Sequence, residues 1–272
     1  MKTHNLILKP EDSGYWFIVN QGKLLLTDET IQVPQGKWQE LAINQPEMVC
    51  LIGQWQQQNC YLVVCNDQLE PASWYSAREL LTKHEPIWFE LAARACQLAL
   101  FLQTHRYCGQ CGNRMHLVQW ELAMLCHKCG FRAYPRISPC VLVAIVKNQQ
   151  ILLARSKRHK AGFFSILAGF VESGETLEQA AIREVKEEVG IDITNLRYVG
   201  SQPWPFPHSL MAGFIADYQA GEIICQPNEI EEAGWFDFSS LPEVPPTQTL
   251  SGTMIEQVRV LVAPQHVSDG TA

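Results

Sequence analysis

The stretch GFVESGETLEQAAIREVKEEVGI, Gly169 to Ile191, decides the reading of this chain. Leu177, Ala180, Ala181, Val185 and Val189 recur at helical spacing. Thr176 is placed to cap the first turn, and Gln179 three residues on completes a capping box. Gly190 stands where a left-handed glycine ends a helix. On that helix Glu184, Glu187 and Glu188 lie three and four residues apart and share one face. Like charges so placed weaken a helix by roughly 0.2–0.5 kcal/mol per pair, so folding alone does not select them. Hard divalent cations do, because Mg²⁺ and Mn²⁺ are commonly held between carboxylates and substrate phosphates. Arg183, one turn before Glu187, is placed to hold a carboxylate in a bidentate pair. Glu-rich runs also suit a solvated helix face. What favours the metal reading is the full pattern of Gly169, Glu175, Arg183, Glu184, Glu187, Glu188 and Gly190.

That pattern resembles the Nudix box at every defining position. The resemblance implies a Nudix hydrolase that cleaves a nucleoside diphosphate linked to another moiety. It implies an α/β/α sandwich around a mixed sheet, an α/β or α+β fold with the box as a loop-helix-loop. It makes Glu184, Glu187 and Glu188 ligands of Mg²⁺ or Mn²⁺. Glu188 would position or deprotonate the attacking water, with Glu175 and Arg183 in support.

The chain of 272 residues is 47% hydrophobic, enough for one large or two smaller cores. Its longest strongly apolar run, Val141 to Val146, is too short to span a bilayer. The opening residues MKTHNLILKPEDSGYW do not read as a secretion signal, which places the chain in the cytoplasm. A formal charge of −7 argues against a general nucleic-acid binder while leaving room for one RNA end on a local patch.

Without a secretion signal, ten cysteines do not suggest disulfides. Cys108, Cys111, Cys126 and Cys129 form two Cys-x-x-Cys knuckles separated by fourteen residues. Four thiolates so spaced close a tetrahedral Zn²⁺ site with no coordination position left for water, so the ion is structural. Gly112 and Gly130 suit the tight turns, and Met115 to Trp120 reads as strand. Buried reduced thiols or a redox pair are the other reading. His105, His116 and His127 are read as surface or packing residues. Cys50, Cys60, Cys65, Cys96, Cys140 and Cys225 lie among apolar residues, most as small core residues.

Ten residues past the box comes SQPWPFPHS, Ser201 to Ser209. Pro203, Pro205 and Pro207 fix φ at alternate positions and push the residues before them toward extended backbone. The segment reads as a stiff presenter of Trp204 and Phe206, with Gln202 and Ser209 as polar ends and His208 as a further candidate contact. Its rings suit a flat heterocycle, although a connector covering the core has the same composition. The motif resembles the signature of the NADH pyrophosphatase subfamily, which also carries a zinc ribbon before its Nudix domain. The resemblance runs from about Cys108 to Ser209. It implies cleavage of NAD(H) to nicotinamide mononucleotide and AMP, removal of NAD caps from RNA leaving a 5′-monophosphate, and a homodimer. It also carries over substrate contacts at Ala168, Glu121, Arg78 and Ser251, and a metal-side role for Ala168; Tyr134, between ribbon and catalytic domain, is placed to stack on a base. Glu229, in a second acidic cluster, would approach the metals or substrate. The rival readings are a Nudix hydrolase of ADP-ribose or another nucleotide, and a nucleotide-sensing zinc-ribbon regulator.

The organisation expected is a mixed N-terminal domain over 1–104, the ribbon over 105–134, the catalytic domain over 135–264 and a mobile tail over 265–272. Strands are expected at Tyr15–Val19, Lys23–Leu26, Cys140–Val146, Ile151–Ala154, Met211–Tyr218 and Gly234–Asp237. Helices are expected at Pro86–Thr104 and Thr253–Val262. No internal repeat is visible. Arg155, Lys157, Arg158 and Lys160 form a basic run better read as a solvated loop than as a phosphate contact.

Overall fold

The computed structural model describes residues 6–27, 31–41, 43, 46–65, 74–83 and 85–263, so the expected tail lies outside the described residues. It divides into two compact units, Met1–Ile137 with Pro203–His208, and Ser138–Gln202 with Ser209–Ala272.

The first unit opens with β1 (Ser13–Asn20), β2 (Lys23–Leu25), β3 (Gln35–Lys37) and a 3₁₀ turn at Trp38–Leu41. β4 (Met48–Trp55), β5 (Gln58–Val64), β6 (Trp74–Tyr75), α1 (Arg78–Lys83) and α2 (Pro86–Thr104) follow. Its sheet runs β4-β5-β1-β2-β6, with β3 also on β1. β1 is apolar on both faces. Phe17 and Val19 join the core under α2, while Trp16 and Ile18 join a second cluster. Pro86 takes the first turn of α2, where its missing N–H costs no hydrogen bond. The ribbon strands are β7 (His116–Leu117), β8 (Met124–Leu125) and β9 (Arg132–Ala133). The ribbon shares a core with α2, because Cys108, Met115, Met124, Cys126 and Ala133 cluster with Phe89, Phe101 and Leu102. So short a segment has too little apolar volume for a core of its own. The expected strand at Met115–Trp120 shortens to β7, since the Val118 N–H donates to the Ala123 carbonyl at 3.0 Å and the chain turns between them.

The second unit holds β10 (Ser138–Lys147), β11 (Gln150–Ser156), β12 (Leu167–Phe170), α3 (Leu177–Val189) and β13 (Asp192–Trp204). β14 (Ser209–Ala220), β15 (Ile230–Asp237) and α4 (Leu250–Val262) complete it. β10 lies beside β14 in parallel and beside β11 and β12 in antiparallel register. Val141, Val143 and Ile145 pack on the α3 side, Leu142 and Ala144 on the α4 side. A strand buried on both faces reads as the unbroken apolar run seen in the sequence. Helices on both faces of a mixed sheet make the α/β/α sandwich expected of a Nudix fold. α4 begins three residues before the expected Thr253, because Thr249 caps it and accepts from the Gly252 N–H at 3.1 Å.

Sequence inspection misses a repeat that topology makes plain. The second sheet runs β13-β14-β10-β11-β15 with β12 on β10, the order of the first sheet strand for strand. Where the second unit has the acidic helix α3, the described residues of the first show only the 3₁₀ turn. Alternating apolar positions tolerate many substitutions, so a fold can repeat after its sequence likeness is lost.

Candidate active site

Local chemistry fixes α3 before any ligand is considered. Thr176 Oγ1 accepts from the Gln179 N–H at 3.2 Å, and Gln179 Oε1 accepts from the Thr176 N–H at 2.9 Å. Gly190 ends the helix at φ 76°. Ala180, Ala181, Val185 and Val189 are buried against the sheet, which sets the rotation of the helix and hence the direction of its glutamates.

One guanidinium organises the acidic residues. Arg183 donates from Nε to Glu175 Oε1 at 2.6 Å and from Nη2 to Glu175 Oε2 at 2.9 Å. Its Nη1 reaches Glu184 Oε1 and Glu187 Oε2, both at 2.9 Å, and Nη2 also reaches the Phe170 carbonyl at 2.9 Å. The bidentate partner is therefore Glu175, whose carboxyl Arg183 and the Glu172 backbone N–H hold down at about 2. Glu175 stays charged and anchors Arg183, and Arg183 in turn orients Glu184 and Glu187.

Glu188 has the opposite character. It is 6% exposed, and its Oε2 is buried with no hydrogen-bond partner. Burial pushes its carboxyl up to about 8, the charges of Glu184, Glu229 and Glu187 adding to the effect and a backbone bond from Ala168 opposing it. Burial also raises Glu184, with Arg183 pulling the other way. An unpaired buried carboxylate costs several kcal/mol unless a cation or proton joins it. An orphaned oxygen among oxygen donors is the setting a hard divalent cation fits. Cys140, on β10, feels the same field, and burial followed by Glu184 and Glu188 pushes its thiol up to about 12.

Gly169 lets this cluster close. A Cβ there would lie 1.8 Å from the Glu184 Cδ and about as near both carboxylate oxygens. Gly169→Ala must therefore displace the Glu184 carboxylate. With misplacement of about 1 Å, turnover should fall roughly 10²-fold while circular dichroism stays unchanged. Wild-type turnover in that variant would show that the carboxylate position is unimportant.

Glu229 is coupled electrostatically to Glu184 and Glu188. It is held by a residue that sequence reading passed over. Gln226 donates its backbone N–H to the Glu188 carbonyl at 2.8 Å. Its Oε1 accepts from the Asn228 and Glu229 N–H groups at 2.9 and 2.8 Å. Gln226-Pro-Asn is a turn sequence, which is the one signal that pointed there. Phe170 was also missed. It is 55% exposed on β12 beside Gly169, and its carbonyl is the one Arg183 holds.

The remaining predicted residues fall into separate groups. Within the first unit, the Arg78 guanidinium lies 5.5 Å from the Trp204 ring and 4.4 Å from the Phe206 ring. Trp204 packs at 5.1 Å on Phe206 and 6.0 Å on Phe89. Tyr134 donates to Glu121 at 3.3 Å, and Arg132 reaches the same carboxylate at 3.3 Å. The segment is not the continuous extended presenter expected. β13 ends at Trp204, and Pro205 to His208 turn into β14. Four residues joining adjacent strands must reverse the chain. Gln202 and Ser209 are not outward polar ends either. Gln202 donates to the Gln248 carbonyl at 3.0 Å and accepts from the Leu250 N–H at 2.8 Å, so it braces the start of α4. Ser209 is 4% exposed, Pro205 is buried, Pro203 lies in β13, and Pro207 and His208 lie in the turn. Ser251 shares a 3.1 Å hydroxyl contact with Thr249. In the basic run Arg155 is paired to Glu231 and Glu232, and Lys160 to Glu243.

The cysteine set converges. The four Sγ atoms lie within 4.8 Å of one another, with Cys108 to Cys129 at 3.6 Å and Cys111 to Cys126 at 3.5 Å. A tetrahedron of Zn–S bonds of about 2.3 Å has edges of about 3.8 Å, close to these separations. Burial disfavours the Cys126 thiolate, but backbone N–H groups of Cys129 and Lys128 and the neighbouring sulfurs bring it to about 7. At Cys129 the Phe131 N–H favours the thiolate, yet burial and the other three sulfurs push it up to about 12. Four thiolates cannot coexist there unaided, so the donor set fits a divalent ion. No second group of three or more such side chains converges in this way among the described residues. In the acidic cluster Arg183 holds Glu184 and Glu187 instead.

Comparison with known proteins gives three consecutive matches. Residues 136–258 match the NUDIX domain, 103–134 the NADH pyrophosphatase zinc ribbon domain, and 13–99 the NADH pyrophosphatase-like rudimentary NUDIX domain. The chain is 44% identical over 263 residues to the NAD-capped RNA hydrolase NudC of Pectobacterium atrosepticum, covering 97% of this chain and 98% of the relative. It is 46% identical over 256 residues to the protein of the same name from Yersinia pestis (strain Pestoides F), covering 94% and 96%. A solved NUDIX hydrolase from Nitrosomonas europaea aligns with 49% of this chain and 78% of its own at 23% identity and a TM-score of 0.43.

Proposed function

Because this chain belongs to the NudC family of Nudix NAD-capped RNA hydrolases, we propose that it cleaves the pyrophosphate bond of NAD(H) to NMN(H) and AMP. On NAD-capped RNA the same cut leaves a 5′-monophosphate end. The observation that carries this reading is the buried, unpartnered Glu188 oxygen among Glu184, Glu187 and Glu229. Glu184, Glu187, Glu188, Glu229 and the Ala168 backbone are the groups to hold Mg²⁺ or Mn²⁺. When bound, such ions neutralise a diphosphate and acidify a coordinated water. Glu188 accepts the proton of the attacking water, the role of a positioned carboxylate base. Arg183 and Glu175 keep Glu184 and Glu187 oriented, which saves reorganisation during the reaction. Trp204 and Phe206 offer ring faces to a flat heterocycle, with Arg78, Tyr134, Glu121, Gln202, Ser209 and Ser251 as further substrate contacts.

The same reading includes a structural Zn²⁺ in the ribbon, a homodimer and a cytoplasmic location. Ten cysteines with no disulfide among them suit a reducing compartment. Among the described residues no helix is long and apolar enough to cross a membrane.

Trp204→Ala tests substrate choice. Loss of one stacking ring should lower kcat/KM for NADH about tenfold. ADP-ribose, which lacks nicotinamide, should lose less. Equal losses on both substrates would remove Trp204 from recognition of the nicotinamide side.

A further inference from the structure

The chain carries a formal charge of −7, yet residues 105–137 hold Arg106, Arg114, Lys128, Arg132 and Arg136 against a single acid, Glu121. Four thiolates around one divalent ion still leave this segment net positive. It is also where exposed rings gather: Tyr107 is 67% exposed, Trp120 68%, Phe131 39% and Tyr134 52%. Soluble proteins expose single apolar residues freely, but aromatic rings interleaved with cations on one small module mark a binding surface.

The register of the ribbon sheet sorts these residues. His116 faces Leu125, and Leu125 faces Arg132, so the three share one face. Leu117, Met124 and Ala133 take the other face, where Met124 and Ala133 are buried in the core with α2. The outer face continues with His127, whose ring lies 5.1 Å from that of His116. It continues also with Tyr134, joined through Glu121 to Arg132. Trp120, 68% exposed next to Glu121 in the β7–β8 connection, and Lys128, exposed beside His127, adjoin it in the chain. The face thus offers ring planes for bases and cations for phosphates, the combination by which proteins hold single-stranded nucleic acid without reading its sequence. A duplex would hide its base faces and leave the rings without partners.

We propose that the outer face of the zinc ribbon, centred on Trp120, His116, His127 and Lys128, binds the single-stranded 5′ segment of a capped RNA by stacking and phosphate contact. This rests on the reading that capped RNA is a substrate. It assigns the ribbon a role beyond its zinc: a grip by Trp120, His116, His127 and Lys128 on the RNA chain past the cap.

The test uses full-length protein and a fluorescent 5′-monophosphorylated single-stranded 15-mer, which the enzyme cannot cleave. Trp120→Ala should weaken binding about tenfold. Lys128→Glu should weaken it and flatten the salt dependence by about one phosphate contact. Both variants should lose the same factor in kcat/KM on NAD-capped RNA and keep wild-type kcat/KM on NADH and one zinc per chain. Unchanged RNA binding in both variants would overturn the proposal and leave the catalytic reading intact. Lost RNA binding by a protein that never hydrolyses capped RNA would keep the surface and overturn that reading instead. Binding of inorganic polyphosphate as tight as RNA would reduce the face to a charge patch and sink the stacking claim. A shift of Trp120→Ala toward monomer in sedimentation would give the face to a second copy of the chain, and the proposal would fall.

Discussion

Glu188→Gln is expected to lower kcat on NADH by about 10²–10⁴-fold, the range lost when a positioned base is removed. The substitution keeps the size of the side chain and removes its charge. Glu188 is buried, and its Oε2 has no partner. Burial together with Glu184 and Glu229 makes its charge costly. Deleting that charge should not destabilise the fold, and in the presence of a chelator the variant should melt no lower than wild type. Zinc content should be unaffected, because the cysteine set is a separate group. Turnover of Glu188→Gln near that of wild type, measured in saturating Mn²⁺, would remove Glu188 from the chemistry.

Cys126→Ser should produce the largest loss of stability. Cys126 is fully buried and contributes both to the four-sulfur set and to the core shared with α2. The ribbon strands are only two residues each, so metal ligation must supply most of what orders them. Structural zinc in isolated finger peptides is bound with about 10–16 kcal/mol. Losing even a fraction of that should lower the melting temperature by about 10 °C or more in a protein of this size. Zinc per chain should fall from one toward zero. Cys225→Ser, at a half-buried position outside the set, should change neither quantity. Equal melting of the two variants would make the cysteine cluster incidental.

What was legible in the sequence was local chemistry. The capping box of Thr176 and Gln179, the glycine stop at Gly190 and the proline start of α2 all involve residues within four positions of one another. The four cysteines were legible because thiolate spacing is constrained by one ion. Less visible were relations across the chain. β4 and β5 belong to a mixed sheet whose repeat of the second sheet is topological only. Asp192 to Tyr198 opens β13 but was not among the expected strands, because the adjacent polar pair Thr194 and Asn195 interrupts its alternation. Gln202, carried over as a substrate contact, also braces α4 from 48 residues away, which its spacing does not announce. Gln226 looked like nothing, yet it fixes Glu229 relative to Glu188. Side chains with two hydrogen-bonding ends find partners that spacing does not announce.

The central claim is that carboxylates of α3 act with divalent metal on the bond between two phosphates. The direct measurement is purified protein incubated with NADH, with and without Mn²⁺, its products identified by mass. The account predicts NMNH and AMP in equal amounts, formed only when metal is present. Release of nicotinamide with ADP-ribose, or the same products at the same rate in excess chelator, would contradict it.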